Sequence, residues 1–266
     1  MAGRVQDKVA VVMGGGQTPG ATIGNGRATS MLLAREGAKV LVVDRDLASA
    51  QDTVDAIRGE GGTAEAVAAD VREEADVRAA IEAATAHFGR LDLLHNNVGA
   101  SLAIGDAPAT DLSVEAWDRI FQINVRGMWL ACKWAIPVMR AQGGGSIINI
   151  SSAAASHAYP WVGYKTSKMA VVGLTEQLAG QYAGDLIRVN TILPGLMNTP
   201  MAIESRVAAG TPREQVVAER DARIPLGKRM GSAWDVAYAA LFLHSDEARF
   251  ITGISLRIDG GMQIAH

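Results

Sequence analysis

Residues 9–26 read VAVVMGGGQTPGATIGNG, and this stretch decides the fold that we predict. Residues 9–13 form an apolar run of strand length, and a helical pattern starts near Asn25 and ends at Glu36-Gly37. Glycines at a strand-to-helix turn let the backbone approach a pyrophosphate, and the helix that follows contributes free N–H groups and its positive dipole end. The stretch therefore predicts a dinucleotide-binding site, and the alternative is an ordinary glycine-rich turn.

Apolar runs and helical patterns alternate along the rest of the chain. Strands are expected at residues 9–13, 39–43, 64–68, 91–95, 146–150, 187–193 and 254–258. Further helices are expected at residues 73–88, 113–142 with Ser113 as N-cap, 164–182 and 232–244. Runs this apolar suit strands that are buried on both faces of a parallel sheet. Repeated β-α-β units predict one α/β domain over residues 1–266, a single-domain doubly wound parallel sheet (Rossmann fold) with helices on both faces.

The least regular stretch lies at about residues 198–223, between a strand and the next clear helix. No change in composition marks it as a domain boundary, so we interpret it as a flap over a substrate site. It contains four arginines, Arg206, Arg213, Arg220 and Arg223. One of them could grip an anionic substrate, and the alternative is that all four are solvated beside the glutamates of the same stretch.

Asp44 ends the second predicted strand. A carboxylate at this place can accept hydrogen bonds from the adenosine ribose hydroxyls and would repel a 2′-phosphate, so it favours NAD over NADP. Arg45 follows directly and could turn toward a phosphate instead. The alternative role for Asp44 is to cap the helix that comes next.

Tyr164 and Lys168 are four residues apart, so one helix face can present both to a single cleft. A free tyrosine has a pKa of about 10, and proton exchange near neutral pH requires a lower value. We expect the Lys168 ammonium, together with a positively charged nicotinamide ring, to lower the pKa of Tyr164. Taken alone, the two residues could equally be a surface pair. Three further polar residues, however, stand where they can join this pair.

Ser151 and Ser152 end the strand that precedes this helix, where a hydroxyl can hydrogen-bond a substrate oxygen. Two serines at a strand end can also be a plain turn. Asn124 lies among apolar residues of the long predicted helix and needs a partner for its amide. It either packs helices together or holds a water molecule in a proton relay.

These features together make the sequence resemble the short-chain dehydrogenase/reductase family over nearly the whole chain. The resemblance is carried by the glycine cluster, Asp70, Asn96-Asn97-Val98-Gly99, Asn124, Ser152, Tyr164 with Lys168, Pro194-Gly195 with Thr199, Ile251-Thr252-Gly253 and Asp259-Gly260-Gly261. The resemblance implies an acid/base role for Tyr164. By the same resemblance, Lys168 would lower the pKa of Tyr164 and bind the nicotinamide ribose. Ser152 would orient the substrate carbonyl, and Asn124 would support a proton relay.

The resemblance also implies the cofactor-binding set. The expected residues are Gly14, Gly24, Asn25, Gly26, Asp44, Arg45, Asp70, Val71, Asn97, Gly99, Tyr164, Lys168, Pro194, Leu196 and Thr199. Among them, Asp70 and Val71 would meet the adenine, Asn97 and Gly99 would line the channel, and Pro194, Leu196 and Thr199 would contact the nicotinamide end. No metal site is expected.

The sequence departs from the family pattern at two places. The glycine motif is longer than usual, so the role of residues 15–23 stays open. Counting back from the tyrosine selects Ser151, whereas matching the strand end selects Ser152. We prefer Ser152, because strand geometry is stiffer than loop length.

Composition restricts the setting in which the protein works. The net charge of −3 disfavours a nucleic-acid surface, and no apolar run is long enough to span a membrane. The N-terminus lacks the apolar stretch of a secretory signal, and a single cysteine cannot form an internal disulfide. We therefore expect a cytoplasmic protein with a small-molecule partner and no nucleic-acid or membrane partner.

The predicted function is an NAD-dependent oxidoreductase that interconverts a secondary alcohol and a ketone by hydride transfer. The alternatives are a catalytically idle dinucleotide-binding sensor or scaffold, and a ketoacyl-thioester reductase. A homotetramer is expected, partly from the resemblance and partly because residues 127–135 are apolar around most of the helix circumference.

Overall fold

The computed structural model describes residues 3–264, so the predicted domain of residues 1–266 extends two residues beyond the description at each end. Its strands are β1 (Val9–Met13), β2 (Lys39–Asp44), β3 (Thr63–Ala68), β4 (Leu93–Asn96), β5 (Gly145–Ile150), β6 (Ile187–Pro194) and β7 (Ser255–Ile258). Within the described residues these strands form one sheet in the order β3-β2-β1-β4-β5-β6-β7, and every pairing is parallel. The predicted doubly wound parallel sheet is confirmed.

Helices cover both faces of the sheet. They are α1 (Asn25–Arg35), α2 (Leu47–Gly59), α3 (Glu74–Phe88), α4 (Val114–Phe121), α5 (Gly127–Ala141), α6 (Val162–Tyr182), α7 (Pro200–Ala208), α8 (Arg213–Ala222) and α9 (Ala233–His244). Alternate residues of β1 enter different cores: Val9, Val11 and Met13 belong to one, and Ala10 and Val12 to the other. This alternation follows from the period of two in a strand, and it explains why a strand covered on both faces is apolar throughout.

The order in which successive strands are added to the sheet reverses between β1 and β4. These two strands are neighbours in the sheet although β2 and β3 lie between them in sequence. In open parallel sheets, ligands bind in the crevice beyond the carboxyl ends of the strands at such a switch point. The glycine turn after β1 and Asn97 after β4 both lie at this crevice. None of the helices within residues 3–264 combines the length and apolar character that a membrane crossing requires.

Several local features differ from the sequence prediction. Helix α2 is additional, and the expected helix over residues 113–142 contains a π-helical turn at Gln122–Arg126 between α4 and α5. Ser113 is confirmed as the N-cap of α4, because its side chain accepts a hydrogen bond from Ala116 N. The stretch at residues 198–223 is more regular than expected, since α7 and α8 occupy most of it. Strand and helix bounds otherwise shift by one to two residues, the usual uncertainty of element ends.

Candidate active site

The glycine turn after β1 brings the start of α1 against the strand end. Gly14 has φ +80°, a left-handed conformation that favours glycine, and its N–H donates to Val43 O at 2.7 Å. A Cβ atom on Gly26 would overlap the Gly14 carbonyl, so the helix approaches the turn this closely only because residue 26 has no side chain. Asn97 Nδ2 donates to the same Gly14 carbonyl at 3.0 Å. The turn, the helix N-terminus and the end of β4 thus form one cradle.

The loop of residues 15–23 reaches from this cradle to the flap. Gln17 is held by Ser49 Oγ, which accepts from Gln17 N at 2.8 Å, and Gln17 Oε1 in turn accepts from Gly24 N at 3.0 Å. A Cβ atom on Gly20 would lie 2.6 Å from Glu204 Oε1 of α7, which shows how closely the loop packs against the flap. Thr22 Oγ1 and Asn25 Oδ1 are buried without hydrogen-bond partners among the described residues. The Thr22 hydroxyl can donate to an anionic group beside the helix N-terminus, whereas the Asn25 carbonyl oxygen can only accept from a donor such as a ligand hydroxyl.

Asp44 stands at the carboxyl end of β2, as predicted. Its carboxylate accepts from Gly16 N at 3.2 Å and from Asp46 N at 3.2 Å. The alternative role as a helix cap is wrong, because Asp46 caps α2 by accepting from the backbone of its first turn. Arg45 is exposed and forms no ion pair within residues 3–264. The structure therefore leaves a partly buried carboxylate and a free cation at the same edge.

Asp70 and Val71 differ in how open they are to a ligand. The Asp70 carboxylate is engaged by Arg72, with Arg72 Nη2 at 2.5 Å from Asp70 Oδ2, and this ion pair lowers the pKa of Asp70. Val71 packs into the core, where a Cβ atom on Gly127 would lie 2.8 Å from its Cβ. Both residues sit beyond β3, on the same side of the sheet as Asp44.

The remaining predicted cofactor residues lie at the ends of β4 and β6. A Cβ atom on Gly99 would lie 3.2 Å from Lys168 Nζ, so the glycine leaves room for the ammonium group. Pro194 ends β6, and Thr199 is buried just before α7. Leu196 packs against the flap core formed by Ile203, Val216 and Met230. This arrangement connects the end of the sheet to α7 and α8.

Tyr164, Lys168 and Ser152 are brought together by α6 and the end of β5. Lys168 Nζ lies 5.6 Å from the centroid of the Tyr164 ring and donates to Ile150 O at 2.9 Å. Ser152 acts on the Tyr164 phenol as a hydrogen-bond partner that lowers its pKa. Ser151 is instead buried, and its hydroxyl donates to Lys168 O at 2.6 Å. The geometry thus favours Ser152 as the serine beside the phenol and gives Ser151 a structural contact.

Burial shifts the pKa values of both Tyr164 and Lys168 away from their usual values. Burial raises the pKa of Tyr164 to about 12, against the smaller lowering effect of Ser152. Burial likewise lowers the pKa of Lys168 to about 7. In the protein chain alone desolvation disfavours the charged form of both groups, so the expected lowering of the pKa of Tyr164 by Lys168 together with a nicotinamide ring stays a prediction.

Asn124 occupies the π-helical turn and is fully buried. Its amide forms a two-way contact with Ala100: Ala100 N donates to Oδ1 at 2.8 Å, and Nδ2 donates to Ala100 O at 2.9 Å. Nδ2 also donates to Ser167 Oγ at 3.0 Å, which connects it to α6. The side chain therefore serves the packing role that the sequence left open, in a π turn of the kind that often occurs at functional sites.

Two site residues were missed by the sequence analysis. Asp106 is a buried carboxylate that accepts from Gly163 N and Tyr164 N at the start of α6. Tyr159 lies with its ring centroid 5.8 Å from that of Tyr164. Neither position follows from spacing, because both residues come from loops, although an aspartate beside Gly105 and Pro108 is a typical turn signal.

Comparisons with a family model, with characterised proteins and with solved structures all match this chain to oxidoreductases. A family model described as enoyl-(acyl carrier protein) reductase matches residues 20–263. Cyclohexanol dehydrogenase of Acinetobacter sp. (strain SE19) is 36% identical over 98% of this chain and 96% of its own length. The 2,5-dichloro-2,5-cyclohexadiene-1,4-diol dehydrogenase LinX of Sphingobium indicum is 38% identical over 99% of both chains. A solved structure described as a short-chain dehydrogenase/reductase of Burkholderia xenovorans superposes with a TM-score of 0.94, at 40% identity over 100% of both chains.

Proposed function

The chain belongs to the short-chain dehydrogenase/reductase family and is an oxidoreductase of alcohols and ketones, and from this premise we propose that it uses NAD, with Tyr164 as acid/base. The observation that carries the proposal is the convergence of Ser152, Tyr164 and Lys168 beside the cradle formed by Gly14 and Gly26. A binding-only sensor has no need of that convergence.

The cradle fits a dinucleotide by its chemistry. Gly14 and Gly26 permit close approach of a pyrophosphate, the N-terminus of α1 offers N–H donors, and Asp44 offers a ribose-binding carboxylate. Bound there, an oxidised nicotinamide would accept the hydride from the carbinol carbon. The proposed cofactor-binding residues remain the set that the family resemblance implies, with Asn97 and Gly99 along the channel.

The protein's own residues then manage the proton. Tyr164 Oη receives the hydroxyl proton of the alcohol as the ketone forms, while Ser152 donates a hydrogen bond to the same substrate oxygen. The raised pKa of Tyr164 and the lowered pKa of Lys168 show that burial opposes charge on both groups. A positively charged ring beside them favours the phenolate and thus couples cofactor binding to activation of Tyr164.

The preference for NAD rests on Asp44. Its carboxylate ends β2 and would be desolvated against a 2′-phosphate, whereas a ribose diol can donate hydrogen bonds to it. Arg45 is the residue that opposes this argument, since it is exposed and close enough to Asp70 to affect its pKa. A cation beside the carboxylate weakens the discrimination without removing the hydrogen-bond acceptor.

For the substrate we propose a medium-sized ring alcohol or its ketone. The two curated relatives described above act, by their names, on cyclic alcohols. A ketoacyl-thioester reductase remains the second candidate, because the matching family model is described in terms of the acyl carrier protein. The flap at residues 198–223 would cover the substrate, with α7 and α8 as its two helices.

We further propose a cytoplasmic homotetramer. Cys132 is a buried free thiol, which suits a reducing compartment. Trp129 of α5 and Met169 of α6 are 44% and 50% exposed, although both side chains are large and apolar. Isologous contacts between copies of the chain would cover these positions.

Purified protein mixed with NAD and cyclohexanol tests the proposal directly. Reduced nicotinamide should form at a measurable rate, and Tyr164→Phe should lower that rate roughly 10²–10⁴-fold while cofactor affinity stays nearly unchanged. Tyr182→Phe is the matched control, because Tyr182 ends the same helix and packs against Arg140 away from the site. Retention of more than about a tenth of the wild-type rate by Tyr164→Phe would contradict the acid/base role.

A further inference from the structure

We propose that the flap contains an anion-binding subsite centred on Arg220, with Arg206 and Arg223, and that the substrate is a ring hydroxy acid or keto acid whose carboxylate it binds. The inference rests on the proposed function for the identity of the reacting group. The subsite itself rests on the geometry of the flap.

Arg220 is a buried cation without a counter-ion. Its residue exposure is 8%, and within residues 3–264 it forms no ion pair. Its two hydrogen bonds are weak: Nε reaches Met230 Sδ at 3.2 Å and Nη2 reaches Met197 O at 3.5 Å. Burying a guanidinium is strongly unfavourable when no partner compensates its charge, so an unpaired arginine at this depth indicates a missing anion.

The neighbouring carboxylates do not supply that anion. Asp221 attracts Arg220 at longer range, but its Oδ1 accepts from Met230 N at 2.7 Å. Glu204 of α7 forms an ion pair with Arg213 of α8 and so is already neutralised. The flap therefore neutralises one of its arginines and leaves Arg220 unneutralised.

Two further cations increase the positive potential at the same place. Arg206 and Arg223 both repel Arg220, and after burial these repulsions contribute to a pKa of about 10 for Arg220. Arg206 Nη1 donates to Ala202 O at 2.6 Å, and neither residue forms an ion pair within the described part of the chain. Three guanidinium groups that form no ion pair within the described residues, with only Asp221 acting on Arg220 at longer range, favour the binding of an anion.

The subsite faces the catalytic pair. The positive charges of Arg206, Arg220 and Arg223 all act on the phenol of Tyr159, opposing the burial that raises its pKa. The Tyr159 ring lies next to that of Tyr164, with 5.8 Å between centroids, and Met197 follows the strand end at Pro194. Arg220 thus contacts the segment that follows β6, and its charge acts on the residue that packs against Tyr164.

The position of Arg220 on the flap determines the substrate class that we propose. A ring carbinol placed at Tyr164 would project a carboxylate from the far side of the ring toward Arg220. Arginine binds carboxylates through two parallel N–H···O bonds, and sulfonate or phosphate groups offer the same acceptors. The carboxylate is proposed because it is planar and matches the two parallel donors of the buried guanidinium.

Binding can be measured without turnover. Cyclohexanecarboxylate has no hydroxyl group to oxidise, and cyclohexanecarboxamide is its neutral counterpart. Titration calorimetry of the NAD-loaded protein should show the carboxylate binding at least about tenfold more tightly than the amide. Arg220→Met should weaken carboxylate binding about 30-fold or more and leave amide binding unchanged, as expected for removing one partner of a buried charge pair.

Arg213→Met is the matched control, because Arg213 is already neutralised by Glu204 on the same flap. It should retain the preference for the carboxylate. Arg220→Lys should retain part of it, since the charge stays and the bidentate geometry is lost. The unfolding temperature of Arg220→Met should equal or exceed that of the wild type, because no folded-state counter-ion is abandoned.

Steady-state kinetics distinguish failure of the anion subsite from failure of the proposed function. 4-Hydroxycyclohexanecarboxylate should have a higher kcat/KM than 4-methylcyclohexanol, and Arg220→Met should abolish the difference. Turnover of the neutral alcohol with no preference for the acid overturns the subsite and leaves the proposed function intact. Tight, Arg220-dependent binding of cyclohexanecarboxylate without turnover of any alcohol leaves the subsite intact and overturns the proposed function. Arg220-dependent binding of coenzyme A, with no binding of cyclohexanecarboxylate, overturns the small-acid assignment in favour of a phosphopantetheine thioester.

Discussion

The buried carboxylate of Asp106 accepts a hydrogen bond from the backbone N–H of Tyr164, with Oδ2 at 2.9 Å from the nitrogen. Its Oδ1 accepts from Gly163 N at 3.0 Å, and Ser101 Oγ donates to Oδ2 at 3.0 Å. Asp106 thus occupies the N-terminus of α6, where a negative charge is stabilised by the helix dipole. This carboxylate connects the loop after β4 to the first turn of the helix that carries Tyr164.

Asp106→Asn should lower the stability of the protein and also shift the pH dependence of its activity. Loss of charge-assisted hydrogen bonds should lower the free energy of unfolding by about 1.5–3 kcal/mol. The Asp106 charge raises the pKa of Tyr164, so removing it should shift the acid limb of the kcat/KM profile for alcohol oxidation to lower pH. Asp111→Asn, an exposed change in the same region, serves as control. A loss of stability with an unmoved pH profile would reduce Asp106 to a purely structural cap.

Asp44→Ala should weaken the preference for NAD. The variant loses a charged acceptor for the ribose hydroxyls, so kcat/KM with NAD should fall about tenfold or more, while kcat/KM with NADP should stay level or rise. Steady-state kinetics with both cofactors decide the matter, and Asp55→Ala on the exposed face of α2 is the control. Equal use of both cofactors by the wild type would mean that Arg45 or residues 15–23 override the carboxylate.

Gly26→Ala should destroy the dinucleotide cradle. Its new Cβ would overlap the Gly14 carbonyl, a backbone atom that cannot move aside without displacing the turn. NAD affinity, measured by fluorescence titration, should fall more than tenfold. Gly59→Ala is a matched control in a helix, because a Cβ there meets nothing within 4 Å and should stabilise α2 by about 0.5–1 kcal/mol. Unchanged NAD binding in Gly26→Ala would show that the pyrophosphate lies elsewhere.

Acid should destabilise the protein through a buried histidine pair. His95 and His244 lie with ring centroids 5.8 Å apart, and burial lowers the pKa of His95 to about 3 and that of His244 well below its usual value. Because both pKa values are depressed in the folded state, the unfolded chain binds more protons below pH of about 6.5. The free energy of unfolding should then fall by up to about 2.7 kcal/mol per pH unit from the two groups together.

Urea unfolding at pH 7.5 and at pH 5.5 measures that loss. The double variant His95→Gln with His244→Gln should show a smaller difference between the two pH values than the wild type. His87→Gln should not change it, because His87 is exposed. The same pH dependence in the double variant would assign the acid sensitivity to other groups.

The oligomeric state offers a simple test of the exposed apolar surface. A groove of about 420 Å³ is lined by Phe121, Val125, Trp129 and Leu174 among polar neighbours. Light scattering after size exclusion should give a mass of four chains at micromolar concentration. Trp129→Glu should shift it toward smaller species, whereas Leu226→Glu, an exposed position away from the groove, should not. A wild-type mass of one chain contradicts the tetramer.

Local patterns in the sequence were sufficient wherever the structure depends on local periodicity. The apolar runs at β1 and β2, the glycine turn at Gly14, and the four-residue spacing of Tyr164 and Lys168 on α6 all follow from the repeats of strand and helix. The same repeats predicted a parallel sheet, and with it the crevice in which the site lies. Small errors at element ends reflect weak capping signals, as when Asp46 rather than Asp44 caps α2.

Contacts between distant segments were decided only by the tertiary structure. Asp106 reaches Tyr164 across 58 positions of sequence, and Arg220 of α8 acts on Tyr159, which precedes α6 in the chain. Both Ser151 and Ser152 contact α6, and only the tertiary structure places the Ser152 hydroxyl beside the Tyr164 phenol, a question of register that spacing could not answer. The same holds for the pKa of Tyr164, because desolvation depends on everything packed around the phenol, whereas sequence spacing reveals only the nearest charge.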